Sequence, residues 1–179
     1  MRHAPKIEDI QKKVYNFFTN DFGRYINSKG IQSRSEVKRY ILETIGSYAH
    51  EFGYKVYAEK ATCFYAHEEK WIYDLHWRVD SEFSRLVRLP LVMEVVSDEE
   101  HYGRDQRITD SFLKLMQSKA DIRLMAFEFE YPELENMQQY LINLIEQFEG
   151  TQPGDCYWIV GWENVPISVN GLKFENYRA

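Results

Sequence analysis

Apolar positions near the start of the chain recur at helical spacing. Ile7, Ile10, Val14, Phe17 and Phe18 share one side and predict a helix over 7–22, with Gly23 placed to stop it. After the turn-rich INSKGIQSRS, Ser33 and Glu36 stand in capping-box spacing. A second helix follows, with Val37, Ile41, Ile45, Tyr48 and Phe52 inward and Gly53 as its left-handed cap. Beyond Gly53 the period drops to two. YKVYAEKATCFYA reads as a strand, and HEEK as a polar turn. WIYDLHWRV then alternates, with Trp71, Tyr73, Leu75, Trp77 and Val79 on one face and Ile72, Asp74 and His76 on the other. LPLVMEVV is apolar enough for a central strand buried on both faces. A helix with Ile108, Phe112, Leu115 and Met116 inward, the strand IRLMAFEF, a helix over ELENMQQYLINLIEQFE and the strand CYWIVGW complete the pattern, and the tail through SVNGLKF adds an edge hairpin. The order predicts an α/β protein with a mixed central sheet flanked by helices.

Composition narrows the function classes. A chain of 179 residues makes one domain: a helical part at 1–53, a core at 54–130 and a C-terminal helix with strands at 131–179. Lys and Arg total 22 against 28 Asp and Glu, a net charge of -6 that speaks against a non-specific nucleic-acid binder. Aromatic residues make up 16% of the chain, led by Tyr, and can serve core packing or base stacking equally. No apolar run approaches the roughly 18 residues of a membrane span. The N-terminus lacks the apolar core of a secretion signal, so a cytoplasmic protein without a membrane partner is expected. Cys63 and Cys156 have neither CxxC nor zinc spacing and read as two thiols. Nucleotide-loop, zincin and nucleophile-elbow motifs are absent. A homodimer is compatible with all of this.

Chemistry enters where acids interrupt strands. Glu59 ends the first strand, Asp74 sits inside the second and Glu94 lies within LPLVMEVV. A carboxylate inside a buried strand costs several kcal/mol unless it is paired, hydrogen-bonded or bound to metal. Carboxylates on adjacent strands suit Mg²⁺, which takes one or two of them and keeps several waters. Each residue also has a structural reading. Asp74 and His76 can share a solvated face, Glu94 can pair with Arg104 or Arg107, Glu59 can be a strand-end charge, and Lys114 a solvated helix lysine.

The order helix, strand, strand with Asp74, strand with Glu94, helix, strand resembles the PD-(D/E)XK nuclease superfamily, the restriction-endonuclease-like fold. GRDQRITDSFLKLMQSKADIRLMAFEF is similar to the unit that follows the catalytic strand in several members, and the resemblance covers about 55–129. It implies that Asp74 and Glu94, helped by the carbonyl of Val95, bind Mg²⁺ or Mn²⁺ and act on nucleic acid. Glu59 or Glu43 would be an accessory acid. The family's lysine position is occupied by Val96, which leaves Gln106 and Lys114, and more weakly Lys60, to supply the missing donor. A catalytically inactive nuclease-fold module for interaction or assembly is the alternative. An unrelated α/β binding protein with salt-bridged acids is the third.

Overall fold

The computed structural model describes residues 6–29, 33–59, 63–67, 72–83, 85–97, 103–129, 133–164 and 169–179. Lys60 and Trp71 lie outside them.

The N-terminal helices are α1 (Ile7–Asn16), a π-helical turn (Phe17–Phe22), α2 (Gly23–Lys29) and α3 (Arg34–Phe52). Gly23 does not stop the first helix. It keeps right-handed helical angles (φ -62°), and the chain runs on to Lys29. A glycine ends a helix by adopting positive φ, which Gly23 does not, and the wide turn before it buries Phe17, Phe18 and Phe22 together. α3 follows its expected signals: the Ser33 hydroxyl accepts from the Glu36 N–H at 3.3 Å, and Gly53 adopts φ 81°.

Six strands follow: β1 (Lys55–Ala58), β2 (Leu75–Asp80), β3 (Leu86–Val96), β4 (Ile122–Phe129), β5 (Cys156–Asn164) and β6 (Val169–Arg178). They form one sheet in chain order. β1, β2 and β3 pair antiparallel, β3, β4 and β5 parallel, and β6 returns antiparallel on β5. Helices α4 (Arg104–Met116) and α5 (Leu134–Gln147) bridge the parallel strands. The fold is therefore α/β with a mixed sheet flanked by helices.

Two departures from the sequence pattern bear on the site. The strand expected over 54–66 stops at Ala58. Beyond it the chain closes local turns, with Cys63 N–H donating to the Glu59 carbonyl and Ala66 N–H to that of Cys63, both at 3.1 Å. Cys63 is buried against α3, where its thiol donates to the Leu42 carbonyl at 3.5 Å. Burying that side chain pulls the segment off the sheet. The alternation through 71–79 also breaks. Leu75 and Trp77 point into the core beneath α1–α3, whereas Tyr73, in a bend before β2, joins the core beneath α4 and α5.

The sheet separates these two cores. Val56, Leu75, Trp77, Met93, Val95, Leu124 and Trp158 face the N-terminal helices, while Val92, Val96, Met125, Phe127 and Ile159 face α4 and α5. Two successive crossovers of the same hand carry α4 and α5 to one face, leaving the other to α1–α3. In β3 the register against β2 skips at Leu89–Pro90, between the pairs Trp77↔Leu91 and Val79↔Arg88. Proline has no N–H to give a ladder, so a bulge is its natural place. Both cysteines are free and buried. Among the described residues no helix is long and apolar enough to cross a membrane.

α5 lies so close to β5 that a Cβ at Gly161 would collide with Leu134 Cδ1 and meet the Phe127 ring at 3.2 Å. Gly161→Ala is therefore expected to cost about 1–3 kcal/mol through overpacking. Urea unfolding should show a lowered midpoint at unchanged slope.

Candidate functional site

β2 begins where its pairing with β3 begins, at Leu75 opposite Met93. One residue earlier the backbone has bent away, and a side chain takes over the ladder. Asp74 Oδ2 accepts from the backbone N–H of Val95 at 3.0 Å. In return the N–H of Asp74 donates to Glu94 Oε1 at 3.1 Å. The two carboxylates are thus separated by no more than that hydrogen bond and one aspartate side chain allow. Val95 presents its N–H toward Asp74, and in an extended strand the carbonyl of a residue points to the same edge as its N–H. The Val95 carbonyl therefore faces the edge where β2 has ended.

Each acid also has an ammonium partner, and the two come from opposite faces of the sheet. Lys38 of α3 places Nζ 2.9 Å from Asp74 Oδ2. Lys114 of α4 places Nζ 2.7 Å from Glu94 Oε1 and donates at 3.2 Å to the Ile72 carbonyl. Glu94 is 4% exposed. Burial, reinforced by the negative charge of Asp74, raises its pKa above the usual carboxylate value despite the opposing pull of Lys114 and the Asp74 N–H. A cavity of about 250 Å³ opens over the pair, lined by Lys38, Asp74, Glu94, Val95, Val96, Arg107, Asp110 and Ser111.

Of the residues singled out in sequence, Asp74, Glu94, Val95 and Lys114 come together. Glu94 takes Lys114 as its ion-pair partner, so α4 does reach the acid, from the flank of its buried stripe and with Leu113 left 38% exposed beside it. The polar face expected to be solvated is covered: the Asp74 side chain is 11% exposed and His76 1%. Three candidates lie elsewhere. Gln106 donates to Asp110 at 2.8 Å on the exposed side of α4. Glu59 sits exposed just past β1, and Glu43, half-buried on α3, acts on Cys63, whose thiol pKa is raised by burial and then by this acid. None of the three lines the cavity.

Lys38 was not singled out. Its signal is the stripe of α3, where Arg34 and Lys38 continue toward the N-terminus the line of buried Ile41, Leu42, Ile45 and Ala49. Arg34 is likewise engaged, its Nε donating to Glu128 Oε1 at 2.8 Å and Oε2 at 3.1 Å.

No family model, no curated protein and no solved structure matches the chain. The site is therefore read from its own groups.

Among the described residues no cluster of three or more His, Cys, Asp or Glu side chains is arranged to hold a metal ion. Mg²⁺ does not require one, since it is commonly held by one or two carboxylates with water completing the shell. Two hard carboxylates, a backbone carbonyl on the same edge and an open cavity fit that mode. Burial first and the neighbouring Asp74 charge second raise the pKa of Glu94, while Lys38 and Lys114 balance the two carboxylates.

Beside the site, His76 stacks on Tyr57 with ring centroids 5.0 Å apart, and neither ring nitrogen has a hydrogen-bond partner among the described residues. Burial, aided by Arg78, lowers its pKa to about 4. The folded protein thus holds a neutral imidazole that the unfolded chain would protonate near pH 6.5. Its contribution to stability is complete above about pH 6.5 and is lost as pH falls toward about 4, a change on the order of 3 kcal/mol. Denaturant melts across that window should show the decline, and His76→Phe should remove it.

Proposed function

We propose that the protein is a restriction-endonuclease-like, divalent-metal-dependent phosphodiesterase acting on nucleic acid. The observation that carries this reading is the interlock of Asp74, Glu94 and Val95 at the carboxyl end of β3, where ligand sites of open α/β sheets gather. Asp74, Glu94 and the Val95 carbonyl would hold Mg²⁺ or Mn²⁺. Bound there, the ion would polarise a phosphoryl oxygen and lower the pKa of an attacking water.

The chain's own groups supply the rest. Glu94 Oε1 is held by the Asp74 N–H and by Lys114, which fixes this carboxylate beside the cavity. Lys38 lines the cavity and brings positive charge toward the phosphate. Lys114 lies on the other side of Glu94, tied also to the Ile72 carbonyl, and orients that carboxylate. Between them these lysines stand in for the donor that Val96 cannot provide, the first as a charge in the cavity and the second as a positioning group.

A second reading is favoured by the same ion pairs. Because each carboxylate already has an ammonium partner, the site is neutral without metal, as a nuclease-fold module kept for interaction or assembly would be. The two readings diverge in metal response. For the enzyme, plasmid and single-stranded DNA or RNA are cleaved with Mg²⁺ or Mn²⁺, and Asp74→Ala or Glu94→Ala lowers the rate by about 10²-fold or more. Mn²⁺ raises the melting temperature, and Glu94→Gln abolishes the rise. Absence of cleavage together with a melting temperature indifferent to Mn²⁺ would decide for the module.

A further inference from the structure

The two lysines at the site are not equivalent. Lys114 has two acceptors, Glu94 Oε1 at 2.7 Å and the Ile72 carbonyl at 3.2 Å, and it does not line the cavity. Lys38 lines the cavity, and its ammonium rests on Asp74 Oδ2. Asp74 lines the same cavity. The aspartate therefore faces two competing cations, one tethered to α3 and one diffusing.

We propose that Lys38 is a tethered counter-ion that keeps the acid pair neutral in the absence of metal and must leave Asp74 for a divalent ion to bind. This rests on the reading of Asp74 and Glu94 as metal ligands. It adds that the affinity of the site is set from α3, by a residue that holds no metal itself.

The surroundings suit a side-chain movement of this kind. Arg34, one turn earlier on α3, is bonded through Nε to both oxygens of Glu128, which is 2% exposed, so the helix stays anchored when Lys38 lets go. The Lys38 side chain is 28% exposed and its stem is flexible, so the ammonium can swing into water. Lys114 stays behind. Without it the buried Glu94 carboxylate would lose the ammonium that holds it in place. The two lysines therefore have opposite signs of effect on metal affinity: Lys38 weakens binding by competition, and Lys114 supports it by holding Glu94 in position.

The test is calorimetric titration of the full chain with Mn²⁺ at about pH 8, above the range in which ordinary carboxylates hold protons. Lys38→Met and Lys38→Gln should bind Mn²⁺ about tenfold more tightly than the unaltered protein, equivalent to 1.4 kcal/mol. Lys38→Arg, which keeps the charge, should show no such gain, and Lys114→Met should bind no more tightly. Circular dichroism without metal establishes that each variant is folded. If the unaltered protein binds Mn²⁺ but neither Lys38→Met nor Lys38→Gln binds it more tightly, the proposal is overturned while the metal site stands. If no protein in the series binds Mn²⁺, the metal-site reading itself fails and the proposal with it. Should both neutral variants prove unfolded, Lys38 is a structural support and the counter-ion role is again refuted.

Discussion

Glu94 is a carboxylate carried by a strand with neighbours on both sides and helices above and below, and burying it unpaired would cost several kcal/mol. The local arrangement answers that cost. The chain bends before β2 so that the N–H of Asp74 can turn to Glu94 Oε1, and the Asp74 carboxylate, brought alongside, closes onto the N–H that Val95 would otherwise leave without a strand partner. Two acids then share one small volume, and the repulsion between them is met by one lysine from each helical layer. Glu94 thereby ties together the Asp74 N–H and the Lys114 ammonium, while Asp74 ties together the Val95 N–H and Lys38.

That the lysines arrive from opposite directions follows from topology. Parallel pairing of β3, β4 and β5 forces two crossovers, and their common hand puts α4 and α5 on one face. The remaining face must be covered by the chain before the sheet, which is why α1, the π-helical turn, α2 and α3 form a second layer. α3 presents its first turns to the carboxyl ends of the parallel strands, with Arg34 on Glu128 and Lys38 on Asp74. Buried ion pairs of this sort contribute less to net stability than to keeping one arrangement, because desolvating both partners offsets much of their attraction.

Much of this was legible from the residues in order. Ser33, Glu36 and Gly53 marked both ends of α3, because capping acts within a few residues and needs no tertiary partner. The apolar runs LPLVMEVV and IRLMAFEF marked β3 and β4, since strands covered on both faces have nowhere to place polar side chains. Glu94 stood out because it broke such a pattern, Asp74 as an acid inside the neighbouring strand, and Lys114 because Val96 stands where the family the sequence resembles has a lysine. The errors share one cause. Gly23 remained helical, the segment after Ala58 left the sheet and Tyr73 crossed to the other core, each because burial of a large or sulfur-bearing side chain outweighed the local period. Lys38 went unnoticed for a related reason: a lysine that continues an apolar stripe toward a helix N-terminus looks like any other solvated charge until the opposing surface is known.

By itself the sequence determined the class of fold, the nature of its elements and the presence of two acids that ordinary core packing does not explain. These are properties of short stretches, decided by periodicity, capping and the cost of burying charge. The tertiary structure alone decided which cations face those acids and from which side. Lys38 and Asp74 are far apart in the chain, and their meeting depends on the hand of the crossovers and the docking of α3. Spacing along a chain can reveal a charge that must be compensated, but the partner is chosen by proximity in space, which only packing of the helical layers on the sheet creates.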